Sequence, residues 1–111
     1  MCGMNRDKTA ALTNRRIIIR EILLRRIFKE HKKPEDQVIK LSRIYEKVNA
    51  NSKVEKKRAR DDANNLLLEW LEQGTIYAFS FRETGRSVDA IVIAKNKEGV
   101  RNFPGLQWYA N

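Results

Sequence analysis

The stretch Ser52-Lys53-Val54-Glu55-Lys56-Lys57-Arg58-Ala59-Arg60 decides how this chain reads. Ser52 and Glu55 stand at the spacing of a capping box: the hydroxyl accepts from the Glu55 amide, and the carboxylate reaches back to the Ser52 amide. No helix breaker follows until Gly74, a residue suited to the left-handed position that ends a helix. The spacing therefore predicts a helix of about 21 residues, from Lys53 to Gln73. Ala59, Ala63, Leu66, Leu67, Trp70 and Leu71 fall on one stripe of it. The bulky half of that stripe anchors the helix in a core. The small half lets the front end pass close to another element.

Working back towards the N-terminus, Asn49-Ala50-Asn51 reads as a turn, with two residues that tolerate unusual backbone angles. Before it, Leu41, Ile44, Tyr45 and Val48 follow the i, i+3, i+4, i+7 pattern of a short helix, with Ser42 as its N-cap. Val38-Ile39-Lys40-Leu41 fits either a short strand or the first turn of that helix. Pro34 closes an earlier helix, because proline disfavours helical geometry in its predecessor. That first helix spans Asn14 to about Lys32, with Thr13 as N-cap, and residues 1–12 are expected to be mobile. Leu23, Leu24, Ile27 and Phe28 form one apolar face of it, and Ile18, Ile19 and Ile22 another. A helix apolar on two sides packs against two things. The second is either a further part of the monomer's core or another copy of the protein.

Working forward from Gly74, the period changes from 3.6 to 2. Tyr77, Phe79 and Phe81 alternate with Ile76, Ala78 and Ser80, and Val88–Ala94 is rich in β-branched residues. Between these runs lies Arg82-Glu83-Thr84-Gly85-Arg86-Ser87, so the expected element is a hairpin with an arginine on each side of its tip. The tail from Lys95 to Asn111 carries Phe103, Trp108 and Tyr109. Three aromatics imply packing, on the domain or on a dimer partner. The fold class is α+β, as one domain at residues 13–94 followed by the tail.

The 111 residues carry a net charge of +9, with 41% hydrophobic and 33% charged residues. That is apolar enough for one modest core and too apolar for a disordered chain. The longest apolar run, Ala90–Ala94, is far short of the roughly 18 residues of a membrane span. No apolar signal region opens the sequence, and Cys2 is the single cysteine. A cytoplasmic or nucleoid-associated protein without disulfides is expected. Cys2 and His31 alone cannot make a Cys/His zinc site. No phosphate-cradling glycine loop or nucleophile–base arrangement is present, so neither a metal, a cofactor nor an enzyme activity is expected.

The charge is uneven. Residues 1–60 hold 18 Lys/Arg and 7 Asp/Glu, whereas residues 61–111 hold 5 and 7. Clustered cations suit a polyanion, because counterions are released when they meet phosphates. Five cations lie within Lys53–Arg60, opposed only by Glu55. Some of them also have intrahelical partners at i, i+4, namely Lys57 with Asp61 and Arg58 with Asp62, at about 0.2–0.5 kcal/mol each.

In order, the elements are a helix, a short strand or helical turn, a short helix, a tight turn, a long capped helix and a hairpin. Over residues 13–94 this order resembles the winged helix-turn-helix superfamily: three helices with a C-terminal β-hairpin wing. The resemblance implies a double-stranded DNA-binding protein, working as a homodimer, with the front of the third helix in the major groove. It places Asn51, Ser52, Lys53, Lys56, Lys57, Arg58 and Arg60 at the duplex. It also puts Arg82 and Arg86 of the wing on the adjacent backbone or minor groove. Ile18, Ile19, Ile22, Phe103, Trp108 and Tyr109 are the residues expected at a dimer interface. The biological role would be transcription regulation, or plasmid or phage partition or replication. RNA or ribosome binding and a purely protein-interaction role are the alternatives.

Overall fold

The computed structural model describes residues 3–29 and 32–110, with side chains from Asn14 onward. Cys2 and His31 lie outside the described residues. The chain builds α1 (Gly3–Phe28), a 3-10 turn (Pro34–Gln37), β1 (Val38–Lys40), α2 (Leu41–Lys47) and α3 (Lys53–Gln73). β2 (Ala78–Thr84), β3 (Ser87–Ala94), α4 (Lys97–Arg101) and β4 (Tyr109–Ala110) complete it. The mixed α+β class is as the sequence predicts. α1 begins at Gly3, so Thr13 lies inside the helix and is not its cap.

Helix α3 has the predicted limits. Ser52 Oγ accepts from the Glu55 amide at 3.1 Å, and Glu55 Oε1 accepts from the Ser52 amide at 3.2 Å. At the other end Gly74 adopts φ 78°, and the Thr75 amide donates to the Trp70 carbonyl at 2.8 Å. That bond satisfies a carbonyl the helix leaves open. All six residues of the predicted stripe are buried. The turn before α3 places Asn49 at φ 55°, a left-handed conformation that asparagine tolerates better than most residues.

Of the two readings left open for residues 38–41 the strand is the one formed, and the start of α2 differs from expectation. Val38-Ile39-Lys40 is a strand, and α2 starts at Leu41 without a side-chain cap, so Ser42 sits in the first turn. Ladder bonds to β3 decide this: Ile39 pairs with Ile91 and is fully buried. In α1 the buried stripe is Ile19, Leu23 and Ile27, all at 0% exposure. Spacing of four keeps these three within about 80° of one another around the helix. The stripe cuts across the two faces read from the sequence. Ile19 joins the core, and Phe28 is left 60% exposed.

The four strands form one antiparallel sheet in the order β1-β3-β2-β4. Ile39, Phe79, Ile91 and Ile93 share the face that packs on the helices. The opposite face carries Ala78, Ser80, Ala90, Val92 and Ala94, and these are buried too. Small side chains let the tail lie directly on this second face: Ser80 Oγ donates to the Gln107 carbonyl at 2.8 Å. Gln37 ties the layers together by donating to the carbonyls of Ile93 (3.0 Å) and Gly99 (2.9 Å). Its own oxygen accepts from Asn102 at 2.8 Å. The tail thus packs within the same subunit, with Phe103 and Trp108 half-buried. Tyr109 stacks on Phe79 at 5.0 Å while remaining 53% exposed at the sheet edge.

Candidate nucleic-acid interface

The cations of α3 do not form one equivalent set. Lys53, Lys57 and Arg58 are exposed, whereas Lys56 and Arg60 are half-buried against α2. Arg60 Nη1 donates to the Tyr45 hydroxyl at 2.8 Å, and Lys56 Nζ sits 5.6 Å from the centre of the same ring. Those two cations hold α2 against α3, a use that spacing alone did not reveal. Lys57 pairs with Asp61 at 3.3 Å, as expected from i, i+4, but both side chains are well exposed. Such a pair is worth little and yields readily to a phosphate. Arg58 does not reach Asp62. That carboxylate bonds Arg15 of α1 instead, and Arg16 reaches Glu69 at 2.8 Å. The Arg15 pair thereby takes Asp62 away from Arg58, while the Arg16 pair lies further back on α3, and Arg58 makes no hydrogen bond or ion pair among the described residues.

Glu55 is the one carboxylate within the basic stretch. The Ser52 hydroxyl, then the Ser52 amide, hold its pKa below the ordinary carboxylate value, with Arg58 adding attraction. It is folded onto the helix end and leaves the neighbouring cations unpaired by it. Asn51 Nδ2 is engaged with the Asn49 carbonyl at 3.3 Å. The Ser52 oxygen is engaged in the cap, although a hydroxyl can still donate outward. The helix N-terminus adds its own partial positive charge.

The hairpin departs from expectation. β2 and β3 pair as far as Thr84 and Ser87, so the turn is only Gly85-Arg86, with Gly85 at φ 68°. Only Arg86 lies at the tip, where it is exposed. Arg82 lies within β2 and grips Asp89 with two nitrogens, at 3.2 and 3.4 Å. Its charge is already matched, which weakens its standing as a phosphate ligand. The Arg82 hydrogen bond holds Asp89 below the usual carboxylate value of 3.8. The folded pKa is the lower one, so the pair stabilises the protein above the unfolded value and fades as pH falls through the folded value. Thermal melts of Asp89→Asn and the native chain should therefore differ at pH 7 and converge in strong acid. A constant gap would exclude the pair as its source.

Sequence reasoning overlooked Arg43 and Lys47, both exposed on α2. Their i, i+4 spacing was the available signal. Tyr45 faces α3, and Lys47 lies about 200° further around α2, so these cations belong to a different flank. Among the described residues, no group of three or more His, Cys, Asp or Glu could hold a metal, and no helix is long and apolar enough to cross a membrane. No protein-family model, curated protein or solved structure matches the chain.

Proposed function

We propose that this protein binds double-stranded DNA through the front of α3, as a winged helix-turn-helix protein. The observation that carries the proposal is a group of three exposed cations, Lys53, Lys57 and Arg58, on the first two turns of a capped helix. Among the described residues near them, Glu55 is folded back on the cap, Asp61 is weakly paired with Lys57, and Asp62 is held by Arg15. An α-helix fits the major groove of B-DNA. Arginine bonds guanine bidentately, and lysine meets phosphates. The order of α1, β1, α2, α3 and the β2–β3 hairpin, with β1 joined to β3, supports the architecture. Arg86 at the hairpin tip is the wing residue placed to reach the adjacent backbone.

Sequence-specific binding of this kind suits a transcription regulator, or a partition or replication factor acting on repeated sites. Two copies would meet at the β4 edge, where Tyr109 is exposed, because Ile19 is committed to the core. The test is a gel-shift titration at rising salt. The double variant Lys53→Ala/Arg58→Ala should bind more weakly, and its salt slope should be about 1 smaller, the loss expected for the phosphate contact of Lys53. Unchanged affinity and slope would overturn the assignment of this helix. Equal competition by structured RNA would overturn the preference for duplex DNA.

A further inference from the structure

A groove of about 580 Å³ runs between α1 and α2, on the flank of α2 turned away from α3. Its apolar walls are Ile18, Ile22, Leu24 and Phe28, all from α1. Four cations border it besides Arg26, which pairs with Asp36: Arg25 and Lys29 at the end of α1, and Arg43 and Lys47 on α2. Among the described residues, no ion pair joins any of these four to a carboxylate, and Glu21 is the single acid on the lining. Phe28 is 60% exposed, while Lys95 lies 5.6 Å from its ring centre and adds a further positive charge.

We propose that this groove docks an acidic amphipathic helix supplied by a protein partner. An apolar row on that helix would fill the space beside Ile22 and Phe28, and its carboxylates would meet the four cations. Charge complementarity selects this occupant. A second copy of the same face would set the four cations against themselves, which is repulsive. Duplex DNA brings phosphates but nothing for the apolar walls. An anionic bilayer calls for a protruding apolar face, yet of the four apolar wall residues Ile18, Ile22 and Leu24 are half-buried and Phe28 alone stands out.

The probe is a fluorescein-labelled amphipathic peptide with Leu and Phe on one face and Glu on the other, followed by anisotropy with the full chain. Saturable binding is expected. Arg43→Glu/Lys47→Glu should weaken it about tenfold or more, a loss of about 1.4 kcal/mol, and Phe28→Ala should weaken it independently. These residues are exposed, so circular dichroism should show both variants folded. Lys53→Ala/Arg58→Ala should leave peptide affinity unchanged, which separates this surface from the α3 front. Absent binding, or equal binding of a peptide with Lys in place of Glu, would overturn the proposal. So would displacement of the peptide by phosphatidylserine vesicles, or a dimer in sedimentation equilibrium that Phe28→Ala dissociates.

Discussion

Replacing Ile19 by alanine should cost about 2–5 kcal/mol of folding stability, the usual loss for a fully buried isoleucine that leaves a cavity. Ile17→Ala, two positions away, should change stability by no more than about 0.5 kcal/mol, because Ile17 is 48% exposed. The contrast follows from the stripe on α1. Ile19, Leu23 and Ile27 enter the core with Leu66, Leu67 and Phe79, and the ion pairs from Arg15 and Arg16 to α3 hold the helix at that rotation. Urea denaturation of both variants checks the result. Similar small losses at both positions would mean that α1 does not present this stripe inward. The same experiment distinguishes a core residue from an interface residue: Ile19→Ala should lower stability at every protein concentration, whereas an interface substitution has a concentration-dependent effect.

The second large effect concerns the joint between the sheet and the tail. A Cβ on Gly99 would lie 2.9 Å from Ala94 Cβ, 3.0 Å from Gln37 Nε2 and 3.1 Å from Ala94 Cα. Two of those atoms belong to a fully buried strand residue that has no flexible end to move. Gly99→Ala should therefore destabilise by about 1–3 kcal/mol, the usual range for overpacking. Gln37 is 2% exposed and bonds Ile93, Gly99 and Asn102. Gln37→Leu strands those groups at about 1–3 kcal/mol for each one left buried and unsatisfied. The two substitutions break one joint, so their effects should fall short of additive in a double-mutant cycle. Trp108 is half-buried in the same tail, and its emission should shift to longer wavelength in both variants. A native melting curve for Gly99→Ala would show that the tail does not lie on Ala94.

How much of this was legible varied with how local the deciding force is. The limits of α3 were readable because Ser52, Glu55 and Gly74 act on their own helix ends, within three or four residues. The hairpin was readable from alternation, though not its two-residue turn, because ladder bonds extend strands beyond their apolar runs. The rotation of α1 was not readable. Eight large apolar residues from Ile17 to Phe28 spread around that helix and permit several buried stripes, and the choice belongs to the acids of α3 and the shape of the core. The candidate site divides in the same way. Its basic cluster stood out in the sequence, but only the structure separates the exposed Lys53, Lys57 and Arg58 from Lys56 and Arg60 at Tyr45.

By itself the sequence determined an α+β domain, a capped 21-residue helix with its buried stripe, and a basic charge concentrated before Asp61. These follow from periodicity, capping and composition, which act over a turn or two. Tertiary structure alone decided that Val38–Lys40 is a strand, that Arg82 is spent on Asp89, and that the tail covers the second face of the sheet. Each of these depends on a partner beyond the reach of local pattern: β3 for the strand, Asp89 across the hairpin, and for the tail a sheet face of small residues. Burial and hydrogen bonding reward such contacts only once the chain has brought both sides together.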